Sequence, residues 1–403
     1  MTAPARALVL AALVALAALL TAVPAARAQR QPDVDARAAI VIDARDGEVM
    51  FAKAPDFRQA IASTTKLMTA LLTLERADPD DVFTAPPYDA LPVESQINLR
   101  TGERMTVADL LEALLLESAN DAAVALAENI SGSREQFVAD MNARAGELGL
   151  EGTSYANPIG LDDPANYSTA RDLAALARAL LRRPRFAQIV DMEMARLDSG
   201  ATPRVIDNRN ALIAEHPWVS GVKTGHTLQA GYVLVGSAAG RSGGRVISVV
   251  LGEPSEPARD ADTLELLRWG LSRFRRVRVL RPARALARAE IEYRDETARL
   301  VPRSGVVLTL RAGQRLRRRV RAPEELEGPL PAGRRVGSVT LLVDGRAVRR
   351  VAVVTAAEVP EAGTLRVLTS VLGVPLTSLL ALAILLAAVL AVRRLRTRYR
   401  IVR

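Results

Sequence analysis

The sequence of 403 residues contains no cysteine, and its only histidines are His216 and His226. Without cysteine, the chain has no disulfide bond, no thiol nucleophile and no cysteine-liganded metal site. A catalytic triad would have to use one of the two histidines, and a metal site would have to rely on carboxylates. We expect neither a metal nor another cofactor.

Aromatic residues are also scarce, at 3% of the chain, although hydrophobic residues make up 49% of it. The expected core is therefore large and aliphatic. The length is typical of two domains with accessory segments.

Lysine is rare in a chain that is otherwise rich in positive charge. Only Lys53, Lys66 and Lys223 are lysines among the 54 basic residues, and the other 51 are arginines. Arginine does not release its proton in proteins, whereas a buried lysine does. A base made from a cationic side chain must therefore be a lysine, and we expect a chemical reason where lysine has been retained.

The two ends of the sequence are apolar in different ways. Residues 1–28 combine Arg6, a short apolar run and an Ala-Arg-Ala ending, which is typical of a cleavable signal peptide, with a membrane anchor as the alternative. Residues 371–392 carry no charge, and at about 1.5 Å per residue such a helix crosses a bilayer. The arginine-rich residues 393–403 then stay in the cytoplasm. This arrangement predicts an exported protein that is anchored in a membrane, with its main part outside the cytoplasm.

Between these ends, the pattern predicts two regions. In residues 29–275, strand patterns at 39–51 and 219–251 enclose helix patterns, including 107–116 and 168–181. Thr106 and Asp109 form a capping box that opens the first of these helices. We expect a sheet that takes its first and last strands from distant parts of the chain, with an inserted helical lobe. Residues 277–358 contain strand-like segments and no long helix, which predicts a small all-β domain. Asp-Gly pairs at 46–47 and 344–345 predict hairpins.

Residues 268–321 contain 17 arginines and four acidic residues. A solvated basic surface explains this excess, and attraction to anionic lipid or acidic wall polymer is the alternative. We expect no nucleic acid as a partner, because the domain is predicted to be exported.

Ser63 and Lys66 stand at the start of a helix pattern, three positions apart. This spacing places the hydroxyl and the amine on one helix face, within hydrogen-bond reach. The helix N-terminus also favours negative charge that develops on the serine oxygen. The pair predicts a serine nucleophile with a lysine base.

Two further polar motifs follow. Ser118 and Asn120 lie between two apolar helix patterns, where a hydroxyl and an amide suit proton relay and substrate binding, although Asn120 alone is explained by helix capping. Lys223, Thr224 and Gly225 end a strand pattern, where a cation, a hydroxyl and a residue without Cβ allow a peptide to lie along the edge. An ordinary polar strand end is the alternative.

The three motifs, in this order, resemble those of the D-alanyl-D-alanine carboxypeptidases among the low-molecular-mass penicillin-binding proteins, serine peptidase family S11. The resemblance covers about residues 35–270. It is carried by the following stretches: Ile61-Ala62-Ser63-Thr64-Thr65-Lys66-Leu67-Met68-Thr69, Glu117-Ser118-Ala119-Asn120-Asp121, Gly160-Leu161-Asp162, Tyr167-Ser168-Thr169-Ala170-Arg171-Asp172-Leu173 and Gly221-Val222-Lys223-Thr224-Gly225-His226-Thr227.

The resemblance implies an α/β (α+β) fold of the serine β-lactamase/transpeptidase type and an acyl-enzyme reaction on peptidoglycan stem peptides that end in D-alanyl-D-alanine. It also implies acylation by β-lactam antibiotics. The implied catalytic residues are Ser63, Lys66, Ser118 and Asn120; Lys223, Thr224, Gly225 and Arg209 would bind the substrate, and the backbone N–H groups of Ser63 and His226 would form the oxyanion hole.

Two departures and three alternatives accompany this interpretation. Ala119 replaces a glycine that many relatives have, and the predicted anchor spans the membrane where relatives use an amphipathic helix. A β-lactamase would need an added carboxylate base, and no Glu-x-x-x-Asn pattern stands between Asn120 and Lys223. An idle penicillin-binding scaffold or sensor would not need three intact motifs. An endopeptidase that cuts cross-links is a variant of the main hypothesis.

Overall fold

The computed structural model describes residues 31–361, residue 367 and residues 376–399. The predicted signal peptide at 1–28 lies outside the described residues. The chain forms two compact units: the first ends at Arg273, and the second begins at Phe274 and also includes the short segment Ser242–Gly244.

The first unit is organised by a five-stranded antiparallel sheet in the order β2-β1-β9-β8-β7. Its strands are β1 (Ala38–Asp43), β2 (Val49–Lys53), β7 (Val219–Thr227), β8 (Gly231–Ala239) and β9 (Arg245–Glu253). Two small two-stranded sheets lie in the inserted lobe, β3 (Val82–Thr84) with β4 (Arg104–Thr106) and β5 (Met194–Leu197) with β6 (Arg204–Asp207). The pairing of β1 with β9 confirms that the sheet joins distant parts of the chain.

Both faces of the sheet are covered. All six residues of β1 are buried, so the side chains that alternate between its two faces are all removed from water. On one face, Ile40 belongs to the main apolar core with residues of the inserted lobe such as Leu71 and Leu173. On the other face, Val41 lies against Gly270 of a long helix. Because both faces of the sheet are covered, its central strands have continuous apolar sequences.

Eight helices belong to this unit among the residues that the structure describes. They are α1 (Lys66–Arg76), α2 (Val107–Glu112), α3 (Asn120–Ser131), α4 (Arg134–Glu147), α5 (Ala170–Leu180), α6 (Pro184–Val190), α7 (Leu212–Glu215) and α8 (Glu256–Ser272). Helix α5 is shorter than the predicted 168–181, because the Thr169 hydroxyl caps it by accepting a 3.1 Å hydrogen bond from the backbone N–H of Asp172.

The prediction of one regular helix over residues 107–116 was wrong at its C-terminal end. Thr106 caps α2 as expected, since its hydroxyl accepts from the N–H of Asp109 at 3.3 Å. The α-helix nevertheless stops at Glu112, and a π-helical turn, Ala113–Glu117, follows it. Ser118 then adopts a left-handed conformation with φ of 66°. Wide turns of this kind often occur at functional sites, because they redirect the chain.

The second unit is built from strands up to Thr355. A six-stranded sheet has the order β14-β16-β17-β12-β11-β15, and β10 pairs with β13. The strands are β10 (Phe274–Leu280), β11 (Ala287–Ile291), β12 (Thr297–Pro302), β13 (Val306–Arg311), β14 (Leu316–Arg321), β15 (Glu325–Leu326), β16 (Arg335–Val343) and β17 (Arg346–Thr355). Its core is aliphatic and includes Leu300, Val339, Leu341 and Val353, each fully buried.

The predicted Asp-Gly hairpins are both present. The first connects β1 to β2 and the second connects β16 to β17. Asp344 and Gly345 have positive φ angles of 50° and 83°, which residues of an Asp-Gly turn adopt readily.

The last described segment is an apolar helix, α9 (Leu376–Tyr399). Within it, Thr377–Arg394 has a mean hydropathy of 1.9 and is long and apolar enough to cross a membrane, and none of this stretch is buried in the protein. The predicted span at 371–392 begins before the described part of this helix. The helix also continues into the arginine-rich segment that was predicted as a tail, because nothing in that sequence breaks a helix.

Candidate active site

Ser63 lies in a single 3₁₀ turn, Ala62–Thr65, which leads directly into α1. Its side chain is partly exposed, whereas the residues around it are buried. The preceding Ala62 has a positive φ of 47°, a conformation that costs energy for a residue with Cβ. The turn therefore presents the serine hydroxyl at the surface of the core, at the N-terminal end of a helix.

Lys66 is fully buried, and its amino group contacts the serine directly. Nζ lies 3.0 Å from Oγ of Ser63 and donates a 2.6 Å hydrogen bond to the backbone carbonyl of Ile159. Burial is the main cause that holds the pKa of Lys66 well below its ordinary value, and the positive charge of Lys223 acts in the same direction. The negative charges of Glu94 and Asp121 act against this lowering. An amine in this state is suited to accept a proton from the serine.

The loop that supplies the Ile159 carbonyl was not assigned a catalytic role from the sequence. The side-chain oxygen of Asn157 accepts hydrogen bonds from the N–H groups of Ile159, Gly160 and Leu161, at 2.7 to 3.3 Å. A Cβ on Gly160 would lie 2.1 Å from the carbonyl oxygen of Ala62. In the sequence, this loop was marked only by the Gly160-Leu161-Asp162 stretch. The role of the loop depends on the close contact between Gly160 and Ala62.

Ser118 and Asn120 follow the π-helical turn and are both about 6% exposed. Asn120 begins α3, and its side-chain nitrogen donates a 2.6 Å hydrogen bond to the carboxylate of Glu94. Glu94 was not predicted as a site residue, because it lies in a segment without a periodic sequence pattern. This carboxylate also accepts from the hydroxyl of Tyr88.

Lys223, Thr224 and Gly225 lie on β7, beside Ser63. Burial is the main cause that lowers the pKa of Lys223 to about 7, and the charge of Arg209 adds to it. Its amino group donates to the carbonyl of Thr224 at 3.1 Å. A Cβ on Gly225 would lie 2.9 Å from the backbone nitrogen of Ser63, so glycine allows β7 to approach Ser63 closely.

Arg209 and His226 lie at the edge of the same region. The guanidinium of Arg209 forms an ion pair with Glu117, the residue that precedes Ser118, with Nε 3.1 Å from Oε1. The exposed ring of His226 stacks on Tyr232 of the adjacent strand, with 4.0 Å between the ring centroids. The ring of His226 therefore packs against the sheet. The main chain of His226 follows directly after Gly225 on β7.

A comparison with known families identifies this arrangement. A sequence model of the family described as D-alanyl-D-alanine carboxypeptidase matches residues 25–255, more than half of the chain.

The chain belongs to this family.

It is therefore a serine-type D-alanyl-D-alanine carboxypeptidase, a hydrolase that acts on peptides ending in D-alanyl-D-alanine. The carboxypeptidase DacF of Bacillus subtilis is 31% identical over 349 residues, which are 84% of this chain and 90% of DacF. Penicillin binding protein 5 from Haemophilus influenzae superposes with a TM-score of 0.59 at 31% identity, covering 82% of this chain and 99% of that chain. The Streptomyces K15 DD-transpeptidase gives a TM-score of 0.58 at 31% identity, covering 60% of this chain and 99% of that chain.

Proposed function

We propose that this carboxypeptidase removes the terminal D-alanine from peptidoglycan stem pentapeptides by acylation of Ser63. The neutral amine of Lys66 takes the proton of the Ser63 hydroxyl, and the oxygen attacks the carbonyl of the last peptide bond. The C–N bond then breaks, and the leaving amine receives a proton through the hydroxyl of Ser118. The observation that carries this proposal is the 3.0 Å contact between a fully buried lysine amine and the serine oxygen.

The remaining groups would hold the substrate and stabilise the transition state. The N–H groups of Ser63 and His226 would bind the oxyanion, which is supported by the close approach of Gly225 to the nitrogen of Ser63. Lys223, Thr224 and Arg209 would bind the terminal carboxylate, and Asn120 a backbone amide of the peptide. Water then attacks the ester and releases the shortened peptide, which restores the serine hydroxyl.

β-Lactams would acylate the same serine, because their strained amide occupies the position of the scissile bond. We also propose that the apolar helix α9 anchors the protein in the bacterial cytoplasmic membrane, with the catalytic unit on the outside. Its length, its hydropathy and the arginines that follow support this placement. Fractionation of cells tests the anchor: the full chain is expected in the membrane fraction, and a variant with Leu385→Arg and Leu386→Arg is expected to leave it.

One assay tests the catalytic proposal. The full chain is labelled with fluorescent penicillin and, separately, given a pentapeptide that ends in D-alanyl-D-alanine, while free D-alanine is measured. We expect labelling and release in the parent chain, neither in Ser63→Ala, and both in the control Ser304→Ala, which changes an exposed serine of the second unit. Release by Ser63→Ala would contradict the mechanism. Labelling without release would indicate a penicillin sensor, and rapid loss of the label would indicate a β-lactamase.

A further inference from the structure

The segment around Glu94 is attached firmly to the start of α3, where the second motif lies. The backbone N–H of Asn120 donates to the carbonyl of Ser95 at 2.8 Å. The buried carboxylate of Asp121 accepts from the N–H groups of Ile97 and Leu99, at 3.2 and 2.9 Å. Residues 94–99 therefore form one wall of the same site, although the chain places them more than 20 residues before α3.

Both oxygens of the Glu94 carboxylate have hydrogen-bond donors. Oε2 accepts from the side-chain nitrogen of Asn120 at 2.6 Å and from the hydroxyl of Tyr88, and Oε1 accepts from the N–H of Leu91 at 3.0 Å. Burial raises the pKa of Glu94, but the hydrogen bonds from Tyr88, Asn120 and Leu91 outweigh it, and the pKa lies below its ordinary value. Glu94 is therefore ionised at neutral pH, and it is a poor proton acceptor for a hydrolytic water.

An ionised carboxylate only accepts hydrogen bonds, whereas the amide of asparagine has a donor end and an acceptor end. Glu94 therefore selects the nitrogen end of the Asn120 side chain and turns its oxygen in the opposite direction. This fixes which hydrogen-bonding group Asn120 offers to a peptide: the oxygen can accept from a substrate N–H. Without Glu94, both orientations of the amide would be accessible.

The charge of Glu94 also acts on the proposed base. The charged groups that influence the Lys66 amine come from three elements: Lys223 of β7, Asp121 of α3 and Glu94 of the wall. The two carboxylates favour the protonated amine, and Lys223 opposes it. Removing the negative charge of Glu94 alone would therefore favour the neutral form of the Lys66 amine.

We propose that Glu94 is a positioning residue for the carboxypeptidase reaction, which holds the Asn120 amide in one orientation and, with Asp121 and Lys223, sets the charge environment of the Lys66 amine. This inference rests on the proposed roles of Lys66 and Asn120. It assigns Glu94 no contact with the reacting atoms.

The test compares Glu94→Gln and Glu94→Ala with the parent chain and with the control Glu151→Gln, which alters an exposed glutamate. D-Alanine release is measured over a range of pH, and kcat and KM are determined separately. Glu94→Gln removes the charge, so the limb of kcat/KM that falls toward acid is expected to move to lower pH by roughly half a unit or more. Glu94→Ala is expected to lower kcat/KM on the order of tenfold to a hundredfold, because Asn120 loses its fixed orientation.

Unchanged kcat/KM and an unchanged acid limb in both variants would overturn the proposal. A loss of activity without movement of the acid limb in Glu94→Gln would also overturn it, since that result indicates only a structural role. If Glu94→Ala does not fold, Glu94→Gln decides alone. The Ser63→Ala experiment remains separate: D-alanine release by that variant would refute the proposed mechanism whatever Glu94 does.

Discussion

The amino group of Lys66 lies 3.0 Å from the hydroxyl oxygen of Ser63, and it also donates a 2.6 Å hydrogen bond to the carbonyl of Ile159. A protonated lysine has three donors, and a neutral one keeps a lone pair that can accept the serine proton. The carbonyl of Ile159 holds the amine in place in either state. The amine of Lys66 is therefore held by the main chain of a distant loop as well as by its own helix.

Replacing Lys66 with arginine separates positive charge from basicity. Arginine retains the charge but does not release its proton, so it cannot activate Ser63. We expect Lys66→Arg to lose D-alanine release by about a thousandfold or more. The rate of labelling by fluorescent penicillin should fall with it. Lys53→Arg is the matched control, because that lysine donates to the carbonyl of Val34 and lies outside the proposed site. Normal acylation by Lys66→Arg would contradict the role of Lys66.

Lys223 should make the reaction sensitive to alkaline pH. Its pKa of about 7 in the free enzyme means that it loses its positive charge as the pH rises through 7. A neutral amine attracts the terminal carboxylate of the substrate less strongly, so kcat/KM is expected to fall above about pH 7, mainly through KM. Lys223→Arg stays charged and is expected to move this alkaline limb upward, at some cost in maximal activity. If the alkaline limb of kcat/KM lies at the same pH in Lys223→Arg and in the parent chain, a group other than Lys223 titrates in that range.

Gly160 should tolerate no larger side chain. Its φ is 93°, and a Cβ would lie 2.1 Å from the carbonyl oxygen of Ala62, next to Ser63. We expect Gly160→Ala to destabilise the fold by about 2 kcal/mol or more and to slow penicillin labelling strongly, because the turn at Ser63 must shift. Thermal unfolding and labelling rates measure the two effects.

Gly146→Ala provides the control for Gly160. It lies within helix α4, and a Cβ there meets nothing within 4 Å. Alanine at this position is expected to stabilise the helix by about 0.5–1 kcal/mol and to leave labelling unchanged. If Gly160→Ala and Gly146→Ala change thermal unfolding and the labelling rate in the same way, this would argue against the close contact at Gly160.

Glu253 should reduce the stability of the protein as the pH rises. Burial and the neighbouring Asp262 carboxyl raise the pKa of Glu253 to about 8, whereas an unfolded glutamate has a value near 4.5. Between these values the folded state binds more protons than the unfolded state, so the free energy of unfolding falls with pH, by up to about 1.4 kcal/mol per unit. We expect Glu253→Gln to weaken this dependence and to raise the unfolding temperature at pH 8. A parallel pH dependence in both proteins would show that Glu253 is not responsible.

Much of the fold could be predicted because its signals are local. The Asp-Gly pairs specified both hairpins, since such turns require backbone conformations that few residues adopt. Thr106 specified the start of α2 through its hydroxyl. The end of α2 could not be predicted, because the π-helical turn at Ala113–Glu117 continues the same apolar pattern as an α-helix. Only packing against other elements distinguishes the two.

For the site, the sequence by itself determined the chemical groups. Because lysine is scarce, the sequence predicts a chemical role for Lys66 and Lys223, and a spacing of three along a helix is enough to bring Lys66 to Ser63. Only the tertiary structure determined three further features of the site: the position of the Ile159 carbonyl, the position of the Glu94 carboxylate and the approach of Gly225 to Ser63. These contacts join segments that are far apart in the chain, and the pKa of each lysine depends on burial and on neighbouring charges, which exist only after the segments pack together.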